Sequence, residues 1–482
     1  MERIPSTNSR EGVYQPAKSY AIIHFVAKTL GIISLGCPKN TVDSERILGE
    51  LAKRGWTLSD DINTVDCMVV NTCGFISDAV LESVEALNEI CELKSYHPDL
   101  ILVATGCLPQ RDGSDIAGNF PEIDLVVGVG NLDQLPDLIE KTWQEKSLPT
   151  RKQVNVNTPG RAVLSYSDMP RLRLTPWWTA YLKIAEGCDH SCSFCTIPSI
   201  KGPHISRPVE DIVAEACQLE SEGVKEIIII SQDPTAYGSD IGTNLKTLLI
   251  ELDNSLGDGV KWVRLHYLYP SKVSDSLLDL IAGSKHIIPY FDIPLQHVRP
   301  GILKGMKRLA PDIDALEIIN RVRKKFENNP TPACLRTTMI VGFPGETEDD
   351  IQAVYDFIEE ARIDRLTAFI FSPEDGTPAA ALPDQVPDEI AELRMLDLME
   401  IQTGISFDIN ESWLGQEMDV LIEGETDDGR MVGRSYRDAP EIDGLVIISG
   451  VPENVELGAF VRVAITGALE YDLEGDFTLQ LE

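Results

Sequence analysis

The sequence lacks any apolar run that approaches the roughly 18 residues of a membrane-spanning helix. Its most apolar early stretch, residues 20–27, contains His24 and has no small-residue cleavage site after it, so it makes a poor signal peptide. These two absences predict a cytoplasmic protein without membrane spans. Residues 1–27 are then expected to form a loosely ordered extension before the first domain.

Basic residues are also scarce. The chain has 42 lysines and arginines against 77 aspartates and glutamates, which gives a formal net charge of −35. Such an excess argues against a surface that grips nucleic-acid phosphates over much of its area. It fits a protein that stays soluble and attracts basic partners. A local basic groove could still exist in a chain with this net charge.

The composition shows no sign of a disordered or fibrous chain. Hydrophobic residues make up 43% and charged residues 25%, with 35 glycines and 29 prolines, as in a protein that buries a core. At about 150 residues per domain, the length of 482 residues predicts roughly three domains.

Three of the ten cysteines, Cys188, Cys192 and Cys195, stand in a C-x3-C-x2-C loop. Without a secretion signal, metal binding is favoured over disulfides, because the cytosol keeps thiols reduced. Three thiolates at this spacing can hold three corners of a 4Fe–4S cluster and leave one iron open. Zinc is the alternative, but a structural zinc ion needs a fourth ligand. His190 could supply one only from inside the loop, where tetrahedral geometry is awkward.

Three further cysteines, Cys37, Cys73 and Cys107, each follow a short apolar run and a polar or glycine step, at intervals of 36 and 34 residues. This spacing is typical of successive strand–helix units. Parallel strands present their carboxyl ends along one edge of a sheet, so three thiols distant in sequence are expected to converge there. The alternative is three ordinary buried cysteines, because Cys is often buried.

The pattern as a whole predicts an α/β protein. Residues 28–145 alternate strand and helix, which indicates a parallel α/β domain, and residues 146–173 are interpreted as a linker. Residues 174–403 predict a partial (βα)6 barrel, and residues 404–475, with short strands and Gly- and Asp-rich turns, a small β-barrel. Strand candidates for the partial barrel are residues 181–185, 227–231, 262–268, 290–293, 335–341 and 366–371.

The C-x3-C-x2-C loop and residues 196–198 after it resemble the cluster loop of radical S-adenosylmethionine enzymes. Residues 35–40, 71–76 and 105–108 resemble the amino-terminal domain of the methylthiotransferase family. The resemblance implies S-adenosylmethionine and two 4Fe–4S clusters as cofactors. It assigns as cluster ligands Cys37, Cys73 and Cys107, and Cys188, Cys192 and Cys195. The cysteines that match no family ligand are Cys67, Cys91, Cys217 and Cys334.

Residues 341–347 form a glycine-rich turn after a strand candidate, but no Gly-Lys-Ser/Thr follows, so the turn is not a nucleotide P-loop. In the family's barrel the matching stretch lies near bound S-adenosylmethionine, which implies a cofactor-binding role for Gly342 and Gly345. Thr347 is predicted to cap the next helix. The carboxyl-terminal region resembles the TRAM domain, a module usually associated with RNA binding.

The family divides mainly by substrate, which is adenosine in transfer RNA or an aspartate of small-subunit ribosomal protein S-twelve (uS12). Residues 404–482 carry 18 acidic and four basic residues, a net charge of −14, which repels phosphate and attracts a basic protein. The alternative is that these acids merely solvate a surface. Residues 36–46, 197–202 and 438–444 also resemble the ribosomal-protein branch.

The resemblance therefore implies methylthio transfer to the β-carbon of an aspartate in uS12, a basic protein partner. In this branch one S-adenosylmethionine methylates sulfur associated with the first cluster, and another supplies the radical that removes hydrogen from the β-carbon. Flavodoxin or ferredoxin is the electron donor that the family implies. Two alternatives stay open: a transfer-RNA adenosine methylthiotransferase, and a non-enzymatic RNA-binding scaffold, although the charge does not favour RNA contact.

Overall fold

The computed structural model describes four ranges of the chain: residues 28–145, 152–157, 170–308 and 314–481. The predicted extension 1–27 lies outside the described residues, as do parts 146–151 and 158–169 of the predicted linker. Within the described ranges, no helix combines the length and the apolar character that crossing a bilayer requires.

The amino-terminal domain is built around a six-stranded parallel sheet. Its strands are β1 (Lys28–Ser34), β2 (Trp56–Leu58), β3 (Cys67–Thr72), β4 (Ile101–Gly106), β5 (Leu125–Gly128) and β6 (Gln153–Asn155). They pair in the order β2-β1-β3-β4-β5-β6. The helices are α1 (Pro38–Lys53), α2 (Ser77–Tyr96), α3 (Cys107–Asn119) and α4 (Leu135–Gln144).

The central strands β3, β4 and β5 are buried along their whole length, as expected for apolar strands covered on both faces. Side chains of α1 and α4 pack on one face of the sheet, and those of α2 and α3 pack on the other. The prediction of a parallel α/β domain is confirmed. The linker interpretation is wrong for β6, because these residues pair with β5 and extend the sheet.

The central domain is the predicted partial (βα)6 barrel. Its strands are β7 (Thr179–Lys183), β8 (Ala185–Glu186), β9 (Ile205–Ser206), β10 (Glu226–Ile230), β11 (Trp262–Leu265), β12 (Tyr290–Asp292), β13 (Cys334–Val341) and β14 (Arg365–Ile370). The parallel sheets β7-β10-β11 and β12-β13-β14 meet through a parallel bridge between Val263 and Ile287. The short strands β8 and β9 form a separate antiparallel pair.

Helices connect the strands of the central domain, and the longer ones pack against the core of the barrel. They are α5 (Ile197–Lys201), α6 (Val209–Ser221), α7 (Leu245–Ser255), α8 (Asp275–Gly283), α9 (Pro300–Gly305), α10 (Ala315–Phe326), α11 (Glu348–Ala361) and α12 (Asp388–Glu411). Thr347 caps α11 through reciprocal hydrogen bonds with Asp350, which confirms its predicted role.

The change to short strands predicted at Gly404 occurs later. Gly404 lies inside α12, and the next strand begins only at residue 417. A helical glycine costs about 1 kcal/mol relative to alanine, but here Leu398 and Ile405 are buried in the core of the central domain. Their burial outweighs the local preference, so the helix continues through the predicted boundary.

The carboxyl-terminal domain is a closed five-stranded barrel. Its strands are β15 (Glu417–Glu425), β16 (Met431–Ser435), β17 (Val446–Ser449), β18 (Phe460–Ala468) and β19 (Leu473–Gln480), closed in the order β15-β16-β17-β19-β18. The small β-barrel prediction is confirmed. Sequence reasoning missed β16 and β19, because Gly433 and Gly475 interrupt their apolar patterns.

This small barrel docks on the amino-terminal ends of the central strands. Arg434 in β16 contacts Glu226 at the start of β10 (2.6 Å), and Glu226 also accepts from Arg264 (2.8 Å). Beside this cluster, the rings of Trp262 and Phe460 meet edge to face with centroids 4.7 Å apart. The carboxyl-terminal ends of the central strands are left for the site described next.

Candidate active site

Three cysteines, Cys37, Cys73 and Cys107, gather at the carboxyl-terminal edge of the first sheet, and we call them the edge cysteines. They follow β1, β3 and β4, and β3 is the neighbour of both other strands. A Cβ atom on Gly36 would lie 3.1 Å from Cys73 Sγ, so these loops approach closely. The structure therefore brings together the three residues that the sequence spacing singled out.

Asn40 connects the loops that carry the edge cysteines. Its backbone N–H donates to Cys37 O (2.8 Å), and its Nδ2 donates to the carbonyl of Thr72, the residue before Cys73 (3.1 Å). The Cys107 thiol donates to Asn40 Oδ1 (3.6 Å). One buried asparagine thus links the loops of all three cysteines through its backbone and its side chain. Sequence reasoning gave Asn40 no role, because nothing in its local pattern indicates three distant partners.

The loop between β8 and β9 carries Cys188, Cys192 and Cys195, the loop cysteines. Its backbone is tied to the barrel at both ends: Cys188 N–H donates to Gly202 O (3.1 Å), and Ser193 N–H donates to Met306 O (2.9 Å). All three loop cysteines line one open cavity at the carboxyl-terminal end of the barrel. They are therefore accessible to a small molecule.

Gly187 allows the chain to enter this loop. Its φ is 79°, and a Cβ atom there would lie 2.0 Å from the carbonyl oxygen of Pro203. A side chain would therefore push apart the two ends of the loop that carries the loop cysteines.

Burial alters the acidity of the cysteine thiols in both groups. It raises the pKa of Cys107 and of Cys195 to about 12 and that of Cys188 to about 11. A nucleophilic cysteine instead needs a lowered pKa. Neutral buried thiols are ligands that release their protons when a metal binds. The chemistry of the donor set therefore fits metal centres rather than covalent catalysis by thiols.

The arrangement favours a cluster over a zinc ion. Within the described ranges, no three His, Cys, Asp or Glu side chains are spaced to hold one metal ion. A structural zinc ion needs four ligands at one atom, whereas in a 4Fe–4S cluster each thiolate binds a different iron. His190, the suggested fourth zinc ligand, has Nε2 2.6 Å from Asp233 Oδ2, and its ring stacks on Tyr269. The side chain is thus held by other partners.

A buried charged network connects the amino-terminal and central domains. Lys183 in β7 contacts Asp43 in α1 and Glu186 in β8 (2.8 Å to Glu186). Lys201 in α5 contacts the same carboxylates at 3.3 and 3.7 Å. Burial alone raises the pKa of Glu186, but the two lysines outweigh it and hold that pKa well below its ordinary value. Sequence reasoning missed this network, although a lysine within the apolar strand β7 is a visible signal.

The two cysteine groups lie on opposite sides of one domain interface. Thr196, the residue after Cys195, has its hydroxyl 3.4 Å from the carbonyl of Phe75, two residues after Cys73. The edge and loop cysteines therefore belong to one composite site.

The glycine-rich turn follows β13 at the same end of the barrel. Gly342 has a φ of 74°, and a Cβ atom there would lie 2.7 Å from Ala391 Cβ in α12. Gly345 N–H donates to Asp384 O (2.8 Å). Packing against α12 therefore accounts for Gly342. Phe343 between the glycines belongs to the same apolar cluster as Phe194, which lies in the loop of the loop cysteines.

The remaining cysteines lie elsewhere. Cys67 and Cys334 begin strands β3 and β13, at the ends away from the site, and both are buried. Cys91 and Cys217 lie partly buried on α2 and α6. Such positions are typical of ordinary core and surface thiols.

Comparison with known proteins assigns a family to each part of the chain. Residues 29–128 match the uncharacterized protein family UPF0004, residues 182–358 the radical SAM superfamily, and residues 414–477 the TRAM domain. The structure resembles the radical S-adenosylmethionine methyltransferase TsrM from Kitasatospora setae, solved with cobalamin and a 4Fe–4S cluster, with a TM-score of 0.53 over 81% of this chain and 78% of that one. At 15% identity, this likeness shows the fold alone.

Relatives that are similar along almost the whole chain identify the family more narrowly than the three domain matches do. The ribosomal protein uS12 methylthiotransferase RimO of Pelobacter propionicus is 42% identical over 93% of this chain and 97% of its own length. The protein of the same name from Clostridioides difficile is 40% identical over 94% of this chain and 99% of its own length. The chain therefore belongs to the ribosomal protein uS12 methylthiotransferase family of radical S-adenosylmethionine enzymes.

Proposed function

We propose that this chain transfers a methylthio group to the β-carbon of an aspartate in ribosomal protein uS12, with S-adenosylmethionine and two 4Fe–4S clusters as cofactors. The observation that carries the proposal is the meeting of two cysteine groups at one interface, where Thr196 touches Phe75. Sulfur insertion into a C–H bond requires a radical source and a sulfur source in reach of one carbon. The similarity to relatives named for uS12 supports the choice of substrate.

The edge cysteines are the proposed ligands of one cluster and the loop cysteines those of the other. When bound, a cluster with an open iron chelates S-adenosylmethionine and supplies the electron for its cleavage. The chain's own residues hold these groups in place: Asn40 links the loops of the edge cysteines. Burial raises the pKa of Cys107, and the buried cation Lys201 acts in the opposite direction, so it offsets part of the cost of negative thiolate charge at the edge cysteines.

The proposed function assigns a role to each of the three domains. In this proposal the amino-terminal domain, which includes β6, carries the first cluster, the central domain, which ends with α12, forms the radical core, and strands β15 to β19 form the TRAM-like domain. Gly342 and Gly345 are proposed to border S-adenosylmethionine, supported by the apolar cluster that their turn shares with the loop of the loop cysteines. Flavodoxin or ferredoxin is the proposed electron donor, and a ribosomal substrate implies work in the cytoplasm.

The charge of the small barrel supports a protein substrate over RNA. Of its four arginines, Arg434 and Arg437 are buried against the central domain. The other two are ion-paired, Arg430 with Glu474 (2.9 Å) and Arg462 with Asp419 (2.6 Å). An RNA-binding surface needs free lysines and arginines, whereas an acidic one attracts a basic ribosomal protein.

An anaerobic assay tests this proposal. The reconstituted chain, S-adenosylmethionine and a chemical reductant are incubated with uS12 and, in parallel, with transfer RNA, and both products are analysed by mass spectrometry. We expect the methylthio group on an aspartate of uS12 and none on RNA. The TRAM match favours the competing outcome, a methylthio group on adenosine, which would reject the proposed substrate.

A further inference from the structure

Lys39 extends from the amino-terminal domain to the mouth of the central barrel. It lies in the first turn of α1, two residues after Cys37. Its Nζ is 4.1 Å from the centre of the Tyr267 ring, which follows β11 at the carboxyl-terminal end of the barrel. An ammonium over an aromatic face is attracted by the ring's quadrupole. Lys39 thus contributes a cation to the composite site.

Tyr267 is held in place as a platform for this cation. Its φ is 63°, a left-handed conformation that costs a non-glycine residue about 1–3 kcal/mol and persists only where the surroundings enforce it. Its backbone N–H donates to Asp292 Oδ2 (3.0 Å). Asp292 is fully buried and contacts Arg336 at 3.3 Å. The ring therefore has a fixed position at the barrel mouth.

Lys39 differs from the two neighbouring lysines in its charge balance. Lys183 and Lys201 each contact Asp43 and Glu186. Among the residues that the structure describes, Lys39 forms no ion pair with a carboxylate, Glu186 acts on it only at longer range, and its side chain is partly exposed. Its positive charge is thus available to an incoming anion.

We propose that the Lys39 ammonium binds the side-chain carboxylate of the substrate aspartate, with the Tyr267 ring as its platform. This inference rests on the proposed function. In aspartate the β-carbon is bonded directly to the carboxyl carbon, so a fixed carboxylate also places the reacting C–H bond. A chain with a net charge of −35 repels carboxylates in general, and recognition of one requires a dedicated cation. Lys39 supplies it beside Cys37, one of the proposed sulfur-site ligands.

A double-mutant cycle tests the contact through binding affinity. The variants are Lys39→Met, which keeps the length of the side chain, and Lys39→Arg, which keeps the charge. Lys53→Met at the exposed end of the same helix is the matched control. Each is titrated with uS12 and with uS12 in which the modified aspartate is replaced by asparagine.

We expect Lys39→Met to weaken binding of unaltered uS12 by about tenfold, or ~1.4 kcal/mol, and to leave binding of the asparagine form unchanged. Lys39→Arg should retain most of the affinity, and Lys53→Met all of it. Equal losses for both forms of uS12, or no loss for either, would overturn the proposal. So would a matching loss of S-adenosylmethionine affinity measured without uS12, because that result assigns Lys39 to the cofactor's carboxylate.

Iron content and the activity of the unaltered chain distinguish failure of the carboxylate site from failure of the proposed function. Lys39→Met should contain as much iron as the unaltered chain, which excludes a lost cluster as the cause of weaker binding. If the unaltered chain fails to modify uS12, the proposed function is rejected. If it modifies uS12 and the cycle shows no coupling, only the carboxylate site is rejected.

Discussion

At the scale of single residues, two buried side chains determine how the cysteines are held. Asn40 contacts the loops of all three edge cysteines. Lys201, in the helix that follows the loop cysteines, contacts Asp43 of the other domain. Removing one partner of a buried polar contact costs about 1–3 kcal/mol, because the other is left unsatisfied. These residues therefore support the site without themselves being proposed ligands.

Alanine substitutions should show that the edge cysteines and the loop cysteines have different roles in the reaction. Cys188→Ala should lose about half of the iron and all cleavage of S-adenosylmethionine, because two remaining thiolates do not retain a cluster that three hold. Cys37→Ala should also lose about half of the iron, keep some cleavage, and stop sulfur insertion. Iron and sulfide analysis with product detection by chromatography measures both. Cys217→Ala, a thiol on α6, is the control and should match the unaltered chain. Full methylthiolation by Cys37→Ala would contradict the first cluster.

At the scale of elements, residues 170–174 connect α1 to the central barrel through hydrogen bonds and ion pairs. Leu172 N–H donates to the carbonyl of Glu45 in α1 (2.9 Å). Arg171 contacts both Glu45 and Glu215 of α6 (2.7 Å to Glu215). Glu215 also contacts Arg46 of α1 (2.9 Å) and Arg207 after β9 (2.7 Å). One carboxylate thus joins four segments and keeps α1, which carries Lys39 and Asp43, against the barrel.

This junction should make stability depend on pH. Burial raises the pKa of Glu215, but the three arginines outweigh it and lower that pKa to about 2. Because the folded-state pKa is below the unfolded one, the stabilisation is present above about pH 4.5 and is lost as the pH falls towards 2. A shift of this size is worth about 3 kcal/mol at neutral pH. Glu215→Gln should lose that stability at neutral pH and match the unaltered chain near pH ~2.

Urea unfolding over this pH range measures the difference between the two proteins. Glu222→Gln at the end of the same helix is the control. Its partner Arg173 lies 3.4 Å away, and the Glu222 side chain is 40% exposed, so we expect a change below about 1 kcal/mol at every pH. A difference for Glu215→Gln that stays constant with pH would contradict the assigned role of its charge.

At the scale of the whole molecule, the acidic barrel and the composite site lie at opposite ends of the central domain. The small barrel docks on the amino-terminal strand ends, through Glu226 and Arg434, and the cysteines lie at the carboxyl-terminal ends. We therefore expect its acidic surface to act on a basic partner through long-range attraction and through contacts away from the reacting carbon. A macromolecular substrate is large enough to meet both regions.

Charge reversal on the small barrel should slow association with uS12. Replacing Asp427, Glu453 and Glu470, which are exposed, with lysine should lower the association rate constant by about tenfold at low salt. The effect should shrink above ~0.15 M salt, where the Debye length is about 8 Å. The same charge change at exposed Glu82, Glu85 and Glu89 of α2 is the control. Equal effects of both variants in stopped-flow binding would contradict a specific role for the barrel.

The sequence predicted those features that depend on local pattern. Apolar runs placed all six strands of the partial barrel, and the spacing of Cys37, Cys73 and Cys107 predicted their convergence, because parallel strands end at one edge. The boundary near Gly404 was wrong, because burial of Leu398 and Ile405 carries α12 through a local helix breaker. Local helix propensity contains no information about such tertiary packing.

The residues around the cysteines were not predictable in the same way. Lys183 and Asp43 are 140 positions apart, so their contact exists only after two domains dock. Tyr267 has an ordinary sequence context, and its left-handed backbone is enforced by Asp292 from the next strand. The ligand types could therefore be predicted, whereas the polar network that positions them depends on the tertiary fold.

Isotope transfer from the substrate shows whether the radical formed from S-adenosylmethionine removes hydrogen from the aspartate β-carbon. The anaerobic assay is run with uS12 whose aspartates carry deuterium on the β-carbon, and 5′-deoxyadenosine and the modified protein are analysed by mass spectrometry. We expect one deuterium in 5′-deoxyadenosine for each methylthio group found on the aspartate β-carbon of uS12. Unlabelled 5′-deoxyadenosine formed together with methylthiolated uS12, or a methylthio group on adenosine of transfer RNA instead, would contradict this expectation.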